Sequence, residues 1–430
     1  MLMHIGNTLH YHSILKKGFV LTMVLYIFNV FTNLPIPNLS QLISLGFLTL
    51  QLSFLAFYTI RAIKAKQVNL YFILIIPILL IPLISALKAN QVFGQPFYYG
   101  FFTERYKFDC ILGLLLIYLI ENSIVNFKLL KKVILNASYG VLFVFLILYL
   151  FVDPTLFIDT KLVVVSPYKG AIYKLGKTLL LLLYFFSLAK SLKKPKVFNF
   201  FIMALVIFVV LFLAKARSFS LSVFITTLLF VLWRLRLDKK IVLFSFLFVA
   251  IPSIVLLIYL FYSEELSLIK DLFYSAFSVF LGGEVTDSSA ASRVSQFQIA
   301  YEGFLAEPIF GCGSLSHLWN DGFNGVYGHF YPSDIGWMGV LFSYGVFGFI
   351  FLKIPFVFLF KFRGFIRNTE DSFILSVFYT LIFLFLHGIT AGYDISKVGM
   401  IFFLFSMVYC QYHNKKDKTD QSSYNEVNEH

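Results

Sequence analysis

Three residues late in the chain have the types and spacing to act on an anionic leaving group: Arg293, His329 and Asp334. His329 and Asp334 stand five residues apart, just before an apolar run. Either could take a proton from a hydroxyl or orient the group that does. An acid abutting an apolar span is costly unless used or paired, so Asp334 is the more telling of the two. Arg293 offers a fixed charge and a planar fork of donors suited to phosphate or pyrophosphate. Further basic residues could bind the same kind of anion: Arg105, Lys107, Lys161, Lys169, Lys174, Lys177, Lys215 and Arg217. Lys174 and Lys177 are three apart and would share a helix face. The ordinary alternative is that these cations pair with nearby acids (Glu104, Asp159, Glu284, Asp287) or snorkel to headgroups. His317 and Asp321 sit in a Gly/Asn-rich loop and are weaker candidates. Glu121 is read as snorkelling or paired at a span end, and Lys353, two residues before Pro355, as the mark of a helix break.

The elements that must position these residues are membrane spans. The chain of 430 residues is 59% hydrophobic and 13% charged, far from the balance of a soluble domain. Apolar runs of about 20 residues recur throughout, which predicts an all-α polytopic integral membrane protein in one domain, 1–412, with a polar tail at 413–430 expected to be disordered. Twelve spans are expected, at about 19–34, 39–60, 68–87, 109–127, 133–152, 171–189, 197–214, 219–233, 241–262, 335–360, 372–391 and 398–412. Every even-numbered span ends in Lys or Arg, as do the N-terminus and the tail. The positive-inside rule then puts both termini in the cytoplasm and the long loop, about 263–334, outside. The net charge of +13 is spread between spans, so it reads as a topology signal and not as a nucleic-acid surface. The three cysteines have no metal spacing. No Walker motif suggests ATP drive, no inverted repeat suggests a secondary transporter, and no cofactor or metal is expected.

The outer loop carries the pattern that points to a family. Residues 292–313 read SRVSQFQIAYEGFLAEPIFGCG: an Arg, a helix, then a Pro-x-x-Gly-x-Gly turn at Pro308, Gly311 and Gly313. A polar residue then leads a span with a Gly-x-x-Gly ending, SDIGWMGVLFSYGVFG. Upstream, AKARSFSLSV opens a mid-chain span at Arg217. This arrangement resembles the polytopic O-antigen polymerase and ligase family of bacterial envelope polysaccharide synthesis, most strongly over about 287–348.

The resemblance implies an architecture similar to membrane glycosyltransferases of the GT-C kind. It also implies glycosyl transfer between undecaprenyl-pyrophosphate-linked oligosaccharides at the outer face of the bacterial inner membrane. On that reading Arg293, Asp334 and His329 are catalytic. Arg217, Lys215, Lys174, Lys177, Lys169 and Arg105 would hold the pyrophosphate or glycan. The partners are the lipid-linked glycans, the bilayer and a chain-length regulator, with no nucleic acid. Ligases carry His-Asn just before the span ending in Gly-x-x-Gly, whereas here Ser333-Asp334-Ile335 stands in that place. The departure favours a repeat-unit polymerase over a ligase. A flippase of lipid-linked sugar is the reading from a different class, and a purely structural subunit would leave the glycine- and charge-rich loop without a purpose.

Overall fold

A computed structural model of the chain describes residues 2–31, 36, 39–66, 68–153, 156, 162–166, 170–173, 176–210, 217–234, 288–391 and 397–428. Within them the chain is helical apart from one two-stranded hairpin. In order these are α1 (Leu2–Ile27), α2 (Leu39–Ala65), α3 (Leu70–Phe93), α4 (Phe97–Thr103), a 3-10 turn (Glu104–Asp109), α5 (Cys110–Glu121) and α6 (Phe127–Phe151). Strands β1 (Val163–Ser166) and β2 (Gly170–Tyr173) pair antiparallel. There follow α7 (Lys177–Lys193), α8 (Val197–Phe208), α9 (Arg217–Arg234), α10 (Ser288–Ala306) and the short α11 (Phe323–Tyr327). The last elements are α12 (Trp337–Lys361), α13 (Arg363–Asn368), α14 (Ser372–Gly388) and α15 (Val398–Asn428).

Among the described residues, four helices are long and apolar enough to cross a membrane: Gln41–Ala65 within α2, then α3, α6 and α12. The apolar helices Val197–Phe208, Phe219–Arg234 and Ser372–Gly388 are shorter. The segment 178–189 of α7, most of α5 and the segment 398–410 of α15 are buried all round, as a helix apolar on every face must be. Tyr71 ties three of these helices together, its hydroxyl donating to Cys110 O and to Phe402 O at 3.1 Å each. Helix starts follow local capping chemistry. Asn69, Asn126 and Asp371 each accept the N–H two residues on, at 2.8 Å, which satisfies an otherwise orphaned donor.

Polar contacts gather at two opposite ends. At one, Lys131 pairs with Asp371 at 2.8 Å and Lys193 with Glu370, while Arg234 donates to Arg367 O at 2.9 Å and Thr369 O at 2.6 Å. At the other lie the C-terminal end of α3, the 3-10 turn, the residues 307–336 and the end of α14.

Several expectations change. The region 88–108 is not a loop: α3 runs on to Phe93, where Gly94 in the left-handed region (φ 77°) ends it, and α4 and the 3-10 turn follow. The sixth apolar run does not begin a helix at 171. Its β-branched and aromatic residues pair as the hairpin, and α7 opens only at Lys177, so Lys174 precedes the helix it was expected to share. The polar tail is helical through Asn428, because extending a packed helix costs far less than nucleating one. Of the outer loop, 288–334 is folded around its own small core of Ala300, Cys312, Leu315, Phe323, Phe330, Ile335, Met338 and Phe342, joined by Ala89 of α3. The ninth expected span, about 241–262, lies outside the described residues.

Candidate active site

Arg293 sits in the second turn of α10 with its side chain exposed. Gln296, one turn on, shares its side of the helix but is buried. Gln296 Nε2 donates to Ser292 Oγ at 3.0 Å, and its Oε1 accepts the backbone N–H of Tyr331 at 2.9 Å. Tyr331 lies between His329 and Asp334. Its carbonyl accepts the Asp334 N–H at 2.9 Å, its ring meets that of His329 edge-on at 5.1 Å, and its hydroxyl accepts from Asn324 Nδ2 at 2.9 Å. One buried glutamine therefore brings the arginine helix to the segment bearing the acid and the histidine. Arg293, His329 and Asp334 are all solvent-exposed.

The glycine motif has a structural role. Gly311 and Gly313 have φ of +71° and +84°, and Gly345 within α12 has φ +61°, a region L-residues with a Cβ avoid. The break at Gly345 frees backbone groups of α12, and the turn satisfies them. Cys312 N–H donates to Phe342 O at 2.7 Å, Gly313 N–H to Ser343 O at 3.1 Å, Val346 N–H to Pro308 O at 2.9 Å and Phe347 N–H to Ile309 O at 3.0 Å. A Cβ on Gly311 or Gly345 would collide with the facing backbone. On its other side the turn is stitched to α3: Ser314 N–H donates to Ser85 Oγ at 3.0 Å, and the buried Gln95 bonds Ser314 O at 3.2 Å and Ser316 N–H at 2.7 Å. Lys88 and Glu307 close the contact at 2.7 Å.

Of the remaining expected anion ligands, the side chains of Arg105, Lys107 and Lys177 are described. Arg105 spends two donors locally, on Phe102 O at 2.8 Å and the Tyr106 hydroxyl at 2.9 Å, with its guanidinium over the Tyr106 ring. Lys177 is half-buried at the start of α7. Arg217 heads α9, and its side chain, like Lys169, Lys174 and Lys215, lies outside the described residues. Among the described residues no three His, Cys, Asp or Glu converge where a metal could sit.

Residues 198–352 match the family model described as O-antigen ligase. That match covers about a third of the chain. No curated protein matches the chain. The matched segment contains Arg217, Arg293, His329, Asp334 and both halves of the glycine contact, while Arg105, Lys169, Lys174 and Lys177 fall before it. The match supports a role in O-antigen or polysaccharide assembly, and it does not separate polymerase from ligase.

Two buried polar clusters lie at and beside the matched segment, and the first realises the alternative in which one of the expected anion-binding cations pairs with a nearby acid. Tyr344, next to the break, donates from its hydroxyl to Glu104 at 2.9 and 3.1 Å. Lys107 lies 3.1 Å from both the Tyr344 hydroxyl and Glu104. Asp109 accepts from Gln51 Nε2 at 2.7 Å and from the Tyr26 hydroxyl at 2.9 Å. The three-residue spacing of Glu104 and Lys107 was a visible signal of an internal pair. Gln95, Gln296 and Tyr344 gave none, because an amide or phenol reveals its importance only through what it reaches.

Proposed function

We propose that the protein polymerises undecaprenyl-pyrophosphate-linked oligosaccharide repeat units at the outer face of the bacterial inner membrane. The observation that carries this reading is the bond from Gln296 to Tyr331, which holds the Arg293 helix beside the His329–Asp334 segment. In this mechanism the arginine stabilises the charge that grows on the departing lipid pyrophosphate as the glycosidic bond breaks. Asp334 or His329 takes the proton of the attacking sugar hydroxyl. Arg217 and Lys215 are proposed to assist in holding the pyrophosphate or glycan, with Lys169, Lys174, Lys177 and Arg105 as more distant contributors.

The gathering of Lys131, Lys193, Arg234 and Arg367 at the opposite end of the bundle supports a site that faces the periplasm or cell exterior, with both termini inside. Twelve crossings and a GT-C-like arrangement complete the proposal. A lipid-carried donor suits that side, since nucleotide sugars are cytoplasmic. A chain-length regulator is the expected protein partner.

Transfer of finished glycan to lipid A or another acceptor is the second reading, and the description of the matching family favours it. The Ser333-Asp334-Ile335 sequence, in place of the ligase His-Asn, favours polymerisation. A strain lacking the protein distinguishes them. Single repeats on the final acceptor without a ladder support the polymerase, and long polymer held on undecaprenyl pyrophosphate supports the ligase.

A further inference from the structure

The region expected to be an extracytoplasmic loop does not stay at the ends of the spans. Its turn, residues 308–314, is bonded to Phe342–Phe347 of α12 and to Ser85 of α3. Ser85 lies eight residues before the end of α3, and Gly345 lies eight residues into α12. At about 1.5 Å per residue, that depth is on the order of 12 Å from each helix end. The 24 residues of α3 span only a few ångströms more, on each side, than a hydrocarbon core of about 30 Å. The turn then lies on the order of 5–10 Å below the edge of the hydrocarbon. Irregular backbone is tolerated there only when buried in protein or lining a cavity. The break at Gly345 meets that condition by supplying the donors and acceptors the turn needs.

The helix leading into this turn has a matching outer surface. Val294, Phe297, Tyr301 and Leu305 of α10 are all exposed, and their spacing of three, four and four residues puts them on one stripe. The stripe continues through the exposed Ile309 and Phe310 onto the exposed Val346 and Ile350 of α12, a helix fit to cross the membrane. Two polar residues share or border this face, Gln298 beside Leu305 and Glu302 at its edge, and Gln298 Nε2 donates to Glu302 Oε1 at 3.1 Å, while Glu307 is held by Lys88.

We infer that α10 and the turn at 307–313 form a re-entrant hairpin in the outer leaflet, with the stripe Val294–Phe297–Tyr301–Leu305–Ile309 seated against lipid hydrocarbon. The occupant of this surface is the acyl or prenyl chains of the bilayer, because the stripe is continuous with the lipid face of a span. Arg293, at the shallow end of the stripe, then stands at the level of the lipid phosphates. That last step rests on the function proposed above, whereas the seating of the helix does not.

The test is spin-label accessibility on the full-length protein in phospholipid vesicles. Single cysteines replace Phe297, Tyr301, Leu305 and Ile309, with Asp321→Cys as the aqueous control. The expected result is preferential collision with oxygen over a water-soluble nickel complex at all four, with the depth parameter increasing from 297 to 309, and the reverse preference at 321. Nickel access at 305 and 309 equal to that at 321 would overturn the inference, and so would shielding from both reagents, which would mean that protein covers the stripe. The strain lacking the protein reports separately on the glycan chemistry, so either result can fail alone.

Discussion

At Arg293 the side chain is exposed and outside the small core of the loop, so replacing it should alter chemistry more than folding. Arg293→Ala is expected to lower polymer formation by about a hundredfold or more, the usual effect of removing one charge-stabilising group. Arg293→Lys should retain part of the activity, because it keeps the charge and loses the fork. Both variants should appear in the membrane at normal amounts, measured by immunoblot beside the glycan gel. Gln296→Ala should also lower output, since it leaves the Tyr331 N–H without its partner, at a cost of about 1–3 kcal/mol. Cys312 is buried, so maleimide labelling should be slow in folded protein and become rapid on denaturation. Residue types pointed to Arg293, His329 and Asp334 because charge in an apolar chain is conspicuous. Gln296 and Tyr344, which position the same region, looked like ordinary polar residues until their partners were seen.

The element that most constrains this region is the contact between the turn at 308–313 and the broken helix α12. Gly345→Ala should destabilise the protein by at least about 1–3 kcal/mol from its positive φ alone, before the collision of the new Cβ with the Ile309 carbonyl. Gly140→Ala in α6 meets nothing within 4 Å, and should be neutral or mildly stabilising through helix propensity. Thermal unfolding in detergent compares the two. The Pro-x-x-Gly-x-Gly and Gly-x-x-Gly patterns were legible as motifs, but their meaning was not. Neither pattern by itself says that the two segments exchange backbone hydrogen bonds. Hydropathy likewise located α2, α3, α6 and α12. It missed the hairpin at Val163–Tyr173, because short β-branched runs and apolar helices look alike at that length.

Across the whole molecule, charge separates the two ends of the bundle. Lys131, Lys193, Arg234 and Arg367 meet Glu370, Asp371 and backbone carbonyls at one end, and Arg293, His329 and Asp334 stand at the other. Lys193→Cys should react with a membrane-impermeant thiol reagent only after the cytoplasm is opened, while Asp321→Cys should react in intact spheroplasts. The alternation of basic loops is the sequence feature behind the expected topology, because the insertion bias acts on composition. The folding of 288–334 against the spans was not readable, since it depends on contacts between residues more than 200 positions apart, such as Gln95 with Ser314 and Ser316. The central claim is that the exposed constellation at Arg293 joins repeat units into polymer. Its most direct measurement is the envelope glycan profile, with extraction of lipid-linked intermediates, of a strain whose only copy carries Arg293→Ala. Single repeats on the acceptor with the ladder gone, at normal protein level, is the result predicted. A ladder of unchanged length and intensity would contradict it.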